Sequence, residues 1–319
     1  MTDSAADLST DLSDVPDLYD VPGFDAVLRR LDADAVRVDA LPDADGVLAR
    51  PHDGGNGTGV LVLSGSSGRV ESPRAHLLAA AGVSAALSYR WFGAPGTPDT
   101  IWEYPLEAFA PALERLAADC DRVVLLGTSK SAEAFLLLAT DDPRVDAVVA
   151  VGPSHVTWAN VGPGPDGELR PQHASWSRGG EPVPFVPYDD DFEVAGDPPE
   201  LVGMYRQSLA AAPEAVAAAT IPVERFFGDV LLVAGGDDRL WPALDAARAI
   251  EARRSDAGLP TTVVTHPDAG HRVVLPGEPP ATGGMQMARG GTDEADRALG
   301  LLAWPELLRV LGVHGGPCS

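Results

Sequence analysis

The stretch Arg122-Val-Val-Leu-Leu-Gly-Thr-Ser-Lys-Ser-Ala-Glu-Ala-Phe-Leu-Leu-Leu-Ala139 falls into three parts. Residues 123–126 form a short unbroken apolar run, the pattern of a strand buried on both faces of a parallel sheet. Residues 132–139 carry the composition of a helix. Between them, Gly127-Thr128-Ser129-Lys130-Ser131 puts a serine in a tight strand-to-helix turn with small residues on either side. A turn of this kind lifts a hydroxyl above the carboxyl edge of a sheet, where it meets substrate. The motif alone is weakly specific, and its last small residue is Ser131 where glycine is usual. Its place between a buried strand and a helix is what singles out Ser129 as candidate nucleophile.

The same rhythm repeats on both sides. A strand over 60–63, a helix over 74–81 stopped by Gly82, a strand over 83–87 and a helix over 106–118 come before it; a strand over 145–151 follows. Further on come a helix over 201–218, a strand over 230–233, a helix over 242–253, a strand over 261–264 and a closing helix over 294–311. Alternating units of this kind predict the α/β class, with a doubly wound, mostly parallel sheet and helices on both faces. The periodicity lapses from 152 to about 200, a stretch rich in Pro and Gly that also holds Trp158, Trp176, Phe185 and Tyr188. Those rings predict an ordered, cap-like insertion at about 152–220 of the main domain, 58–315. Ahead of it, residues 1–57 read as an acidic leader (1–14), a short amphipathic helix (24–31), a weak strand pair (36–38 and 47–48) and a glycine turn at 54–57.

Composition narrows the function. The chain has 319 residues, 45% hydrophobic, enough for a sizeable core. No apolar run is long enough to span a bilayer, and the polar start lacks a secretory signal, so a cytoplasmic location is expected. A net charge of −24 disfavours nucleic acid and anionic membranes as partners. Lys130 is the only lysine, and the carboxylates are spread along the whole sequence; such a surface suits concentrated salt, where self-repulsion is screened. Cys120 and Cys318 are far apart and lack His or Cys neighbours at metal-ligand spacing, so neither a disulfide nor a metal site is expected. The sequence is silent on oligomeric state.

A serine hydroxyl needs a base held in the right tautomer. The strand over 230–233 runs into Ala234-Gly-Gly-Asp-Asp-Arg-Leu-Trp-Pro242, placing two carboxylates in a loop at a strand's carboxyl end. Asp238 is the better-placed acid and Asp237 the reserve; either one would also serve as a cap for the next helix. His271, in Asp268-Ala-Gly-His271 after the 261–264 strand, is the candidate base. His266, at a strand end beside Pro267, is poorer, and His155, after the 145–151 strand, is a further candidate facing the pocket. For the oxyanion, the main-chain N–H of Lys130 is one candidate donor. The other comes from Ser64-Gly-Ser-Ser-Gly68, through Ser66 or Ser67. That loop lacks the glycine spacing or Gly-Lys-Ser/Thr of a nucleotide site.

An ordered series of segments carries a resemblance: Leu126-Gly-Thr-Ser-Lys-Ser131, Gly152-Pro-Ser-His-Val-Thr-Trp158, Pro182-Val-Pro-Phe-Val-Pro-Tyr188, Ile221-Pro-Val-Glu224, Gly236-Asp-Asp-Arg-Leu-Trp-Pro242, Ala269-Gly-His271 and Gly290-Gly-Thr292. Over about residues 58–312 the chain resembles the C-terminal domain of acyl-CoA thioester hydrolases and bile acid-CoA:amino acid N-acyltransferases, a dienelactone-hydrolase-like branch of the α/β-hydrolases. The resemblance implies an α/β-hydrolase fold with Ser129 as nucleophile, Asp238 as acid and His271 as base. Fuller members carry an N-terminal β-sandwich, for which 57 residues are too few.

The leading expectation is hydrolysis of a small-molecule acyl thioester through an acyl-enzyme, with no cofactor, and with Trp158, His155 and Trp241 lining the acyl pocket. Capture of a polyanionic CoA by so acidic a protein calls for arginines such as Arg69, Arg90 or Arg178 at the mouth. The alternatives are a carboxylesterase or lactone hydrolase on small esters, acyl transfer to an amine, which a serine nucleophile disfavours, and a non-catalytic binding scaffold.

Overall fold

The computed structural model describes Val27, Arg30, residues 34–279 and residues 285–313. The leader over 1–14, most of the expected helix over 24–31, His314 and Cys318 lie outside them. In chain order the elements are β1 (Val36–Ala40), β2 (Gly46–Pro51), β3 (Thr58–Leu63), α1 (Ser72–Ala81), β4 (Ala85–Tyr89), β5 (Tyr104–Pro105), α2 (Ala110–Asp119) and β6 (Arg122–Thr128). After these come α3 (Lys130–Ala139), β7 (Ala147–Val151), β8 (Trp176–Arg178), β9 (Glu181–Pro182), α4 (Val202–Ala211), α5 (Pro213–Ala219), β10 (Asp229–Gly235), α6 (Ala243–Asp256), β11 (Thr262–His266) and α7 (Asp293–Val310). A 3-10 turn, Leu106–Phe109, leads into α2.

Eight strands form one sheet in the order β1-β2-β4-β3-β6-β7-β10-β11. β2 pairs antiparallel with both β1 and β4, and every other pairing is parallel. The weak strand pair of the sequence is therefore the outer edge of the main sheet. Alternate strand residues point to opposite faces, which makes two cores. Leu61, Leu63, Leu125, Val148 and Leu232 pack with Leu113 of α2, Phe135 of α3 and Ala247 of α6. Val60, Val62, Val124, Val149 and Val233 pack with Leu78 of α1 and Trp304 and Leu307 of α7. Burial on both faces explains why the central strands read as continuous apolar runs.

The segment between β7 and β10 holds β8, β9, α4 and α5. β8 and β9 join β5 in a separate sheet, order β5-β8-β9. The rings stack: Trp91 on Trp176 at 5.7 Å, and Trp158 on Tyr188 at 6.0 Å. The single helix expected over 201–218 is two, broken at Ala212 (φ −126°, ψ 57°) with Pro213 opening the second. Proline offers no N–H to the preceding turn and pushes the residue before it out of the helical region.

Candidate active site

β6 delivers the chain to the carboxyl edge of the sheet at its centre, and Ser129 follows with φ 59° and ψ −117°. This left-handed conformation is strained for a residue with a Cβ, by about 1–3 kcal/mol. The amide of Ser129 donates to Val151 O of β7 at 2.7 Å, and its carbonyl accepts from Glu133 N of α3. The turn is so tight that a Cβ on Gly127 would lie 2.7 Å from Ala132 N. Ser131, where glycine is usual, is fully buried and closes the turn with its hydroxyl: Oγ accepts from Thr128 N and donates to Leu63 O, both at 2.8 Å. The loop after β3 lies directly against this turn. A Cβ on Gly65 would sit 2.8 Å from Ser129 Cβ and 3.3 Å from Lys130 N, so only glycine allows the two loops to meet. Ser66 and Ser67 continue that loop and, with Ser129, line a cavity.

His271 faces Asp238, with Nδ1 2.7 Å from Oδ2, and both side chains are nearly buried. Asp238 is aimed by its own loop, since Oδ1 accepts from Leu240 N at 2.8 Å and Trp241 N at 3.2 Å. His271 N donates to Arg289 O at 2.8 Å. The reserve carboxylate Asp237 turns elsewhere, accepting from Arg239 Nε and Gly291 N. His266 is buried at the end of β11, its Nδ1 accepting from Asp268 N.

Ser129 and His271 line one cavity of about 570 Å³, together with Ser66, Ser67, Leu240 and Met287. Trp158, His155 and Trp241 do not line it. Trp158 is a packing residue of the insertion, and Trp241 donates from Nε1 to Gly152 O and meets the His271 ring edge-on at 5.9 Å. His155 is desolvated, which lowers its pKa, and its Nδ1 has no partner among the described residues. The expected acyl pocket of insertion rings is thus a packed ladder, Tyr188–Trp158–Tyr205–Trp241, ending on His271. Of the arginines suggested for an anionic substrate, Arg69 lines the cavity. Arg90 pairs with Asp45 and Arg178 with Asp141, neither of them at the cavity.

Lys130, directly after Ser129, has its side chain buried, with Nζ 2.9 and 2.8 Å from the two oxygens of the fully buried Glu133. Glu133 also accepts from Trp158 N at 3.0 Å and Trp176 Nε1 at 2.7 Å, tying the turn to the insertion. The Lys130 ammonium is thus committed to Glu133. The sequence reading passed over Glu133, although an acid in an otherwise apolar helix three residues after the only lysine is a legible signal for an i,i+3 pair.

Asp296 of α7 was also passed over. Its Oδ1 accepts from Gly270 N at 2.7 Å beside His271, and burial pushes its pKa up to about 6. A carboxyl whose native pKa lies above its unfolded value binds more protons folded than unfolded. Stability attributable to it therefore declines as pH rises from about 4 to 6 and stays low above. Asp296→Asn keeps an acceptor for Gly270 N and removes the charge. It is expected to flatten this slope and to gain on the order of 1 kcal/mol over the parent at pH 8, allowing for solvent screening. Urea unfolding at pH 4.5 and pH 8 measures this, and parallel pH dependence in the two proteins would contradict it.

A sheet in this order with β2 alone reversed, and a serine on a strained turn after its central strand, is the α/β-hydrolase fold. Within that class, a family profile described as "BAAT / Acyl-CoA thioester hydrolase C terminal" matches residues 105–315, and the chain belongs to that family. No curated protein matches the sequence. Similar solved structures include the protein m3DLH (18% identity, 87% of this chain and 98% of that one, TM-score 0.48). Others are a protein designated a dienelactone hydrolase from Klebsiella pneumoniae (14%, 88% and 98%, 0.47) and the Pyrococcus furiosus esterase Pf2001 (10%, 75% and 85%, 0.44). Similarities at this level say nothing about activity. Among the described residues no helix is long and apolar enough to cross a membrane, and no group of three or more His, Cys, Asp or Glu is placed to hold a metal ion.

Proposed function

We propose that the chain is a serine hydrolase that cleaves acyl thioesters by way of a Ser129 acyl-enzyme. The observation that carries this is the joint opening of Ser129, strained on its turn, and His271, held by Asp238, into one cavity. In the reaction Ser129 Oγ attacks the thioester carbonyl while the free imidazole nitrogen of His271 takes its proton. Asp238 holds Nδ1–H and so fixes the tautomer and steadies the imidazolium. The tetrahedral oxyanion is received by main-chain N–H groups of Lys130 and the Gly65–Ser67 loop. The thiol leaves with the proton from His271; water then gives its proton to His271, attacks the acyl-serine and releases the acid and the free hydroxyl. Family membership favours a thioester substrate; the same serine, histidine and aspartate would serve a second reading, hydrolysis of small carboxylic esters.

A fluorophosphonate probe is expected to label Ser129 and no other residue, as read by peptide mass spectrometry. A folded protein that stays unlabelled would replace the enzyme reading with that of a binding scaffold. In a panel of acyl-CoA and p-nitrophenyl esters run across salt concentrations, thioester turnover is expected. Ester turnover alone would select the second reading.

A further inference from the structure

Asp237, the carboxylate beside Asp238, makes no contact with the His271 ring, yet it grips the main chain that holds His271. Three segments meet there: the loop after β10 that carries Asp238, the loop after β11 that carries His271, and a strap, residues 289–291, that leads into α7. Arg289 O of the strap accepts from His271 N at 2.8 Å and from Arg239 N at 3.4 Å, so one carbonyl joins both loops. The strap belongs to no helix or strand that would fix that carbonyl by itself.

Two glycines wedge the strap in place, both with positive φ, 67° and 69°. A Cβ on Gly290 would lie 1.6 Å from Asp237 O, and one on Gly291 would lie 2.2 Å from Gly270 N. Asp237 closes the joint with two bonds: its main-chain N donates to Ala269 O, and its Oδ2 accepts from Gly291 N, both at 2.9 Å. Asp296 Oδ1, on Gly270 N, holds the His271 loop from the α7 side. Burial works against the charge of Asp237, but the Gly291 amide and Arg239 outweigh it, and its pKa lies below the usual carboxylate value. The bond to Gly291 is thus charge-assisted, the stronger kind.

We propose that Asp237 is a positioning residue for the reaction: by holding the Gly291 amide it fixes the strap whose Arg289 carbonyl seats His271, and so keeps the imidazole in register with Asp238 and Ser129. The adjacent aspartates divide the task, Asp238 on the ring and Asp237 on the main chain behind it. The proposal rests on the serine-hydrolase reading for the roles of Asp238 and His271. A misplaced base costs up to about a hundredfold in rate. Asp237→Ala is therefore expected to lower kcat for p-nitrophenyl acetate by about 10- to 100-fold, with KM close to that of the parent. Asp237→Asn keeps an acceptor for the Gly291 amide and should recover most of the loss. Arg239→Gln, which removes the other partner of the Asp237 carboxylate, should leave kcat near the parent value. Parent kcat in Asp237→Ala, or an equal loss in Arg239→Gln, would overturn the proposal.

Two readouts need no turnover. The downfield proton resonance of the His271–Asp238 bond, assigned by its absence in His271→Ala, is expected to shift or broaden in folded Asp237→Ala and to return in Asp237→Asn. Lower stability alone would not move it, and an unchanged resonance would overturn the proposal. In the parent protein the amides of Gly291 and His271 are expected to exchange slowly and at matched rates, as parts of one joint that opens as a unit. Unhindered exchange at Gly291 beside a protected His271 would overturn the proposal even if Asp237→Ala fails to fold. The expected resonance and exchange in a protein that hydrolyses no ester would leave Asp237 as the holder of His271 and remove the enzyme. Ester hydrolysis with a resonance indifferent to Asp237 would do the reverse.

Discussion

The Ser129→Ala protein is expected to fold as the parent does and to turn over esters and thioesters on the order of a million-fold more slowly, as loss of a serine nucleophile does elsewhere. What remains would come from the proposed oxyanion donors of Lys130 and the 65–67 loop, which the substitution leaves in place. Alanine keeps a Cβ, so the strain at φ 59° persists and stability should change by less than about 1 kcal/mol. Ser129→Gly offers a contrast, because glycine takes this conformation without strain. It should be as inactive as the alanine variant yet more stable by about 1 kcal/mol or more. Matched kcat/KM and urea unfolding on the three proteins check both parts. Activity in Ser129→Ala within tenfold of the parent would remove Ser129 as nucleophile; equal stability of the alanine and glycine variants would remove the strain argument.

The largest loss of stability is expected from Glu133→Ala, about 3–5 kcal/mol, because it leaves the Lys130 ammonium buried without its counter-charge. The substitution also strips acceptors from Trp158 N and Trp176 Nε1. A pH signature separates this from simple loss of packing. Burial already lowers the pKa of Lys130 below 10.5, an effect that Glu133 opposes. A lysine with a native pKa below its unfolded one binds fewer protons folded, so stability rises with pH until the unfolded group has also lost its proton. Without Glu133 this interval widens, and the deficit of Glu133→Ala should shrink between pH 7 and pH 10. Replacing both partners with apolar residues, Lys130→Met with Glu133→Leu, should cost less than the single change. A deficit under 1 kcal/mol, or one unaffected by pH, would show that the pair is not what holds α3 to the insertion.

Lys130 and Glu133 also show where the sequence is readable and where it is not. Their spacing is local, three residues on one helix, so their contact follows from helical geometry. The same holds for the apolar runs of β3, β6, β7 and β10, which specify strands buried on both faces, and for the small residues that force a tight turn at Ser129. The helix break at Ala212 was missed even though Pro213 is local, because the apolar pattern continues through it and masks the interruption.

By itself, then, the sequence determined the sheet's alternating build, the strand-to-helix turn that presents Ser129, and the family, since each is written in residues adjacent or evenly spaced along the chain. Tertiary structure alone decided that the insertion's rings pack against one another and leave the cavity wall to other residues, and that Arg69, Arg272 and Arg289 line one cavity in an otherwise acidic protein. Those outcomes depend on how segments separated by tens to some two hundred residues come together in space, and no local periodicity records that meeting.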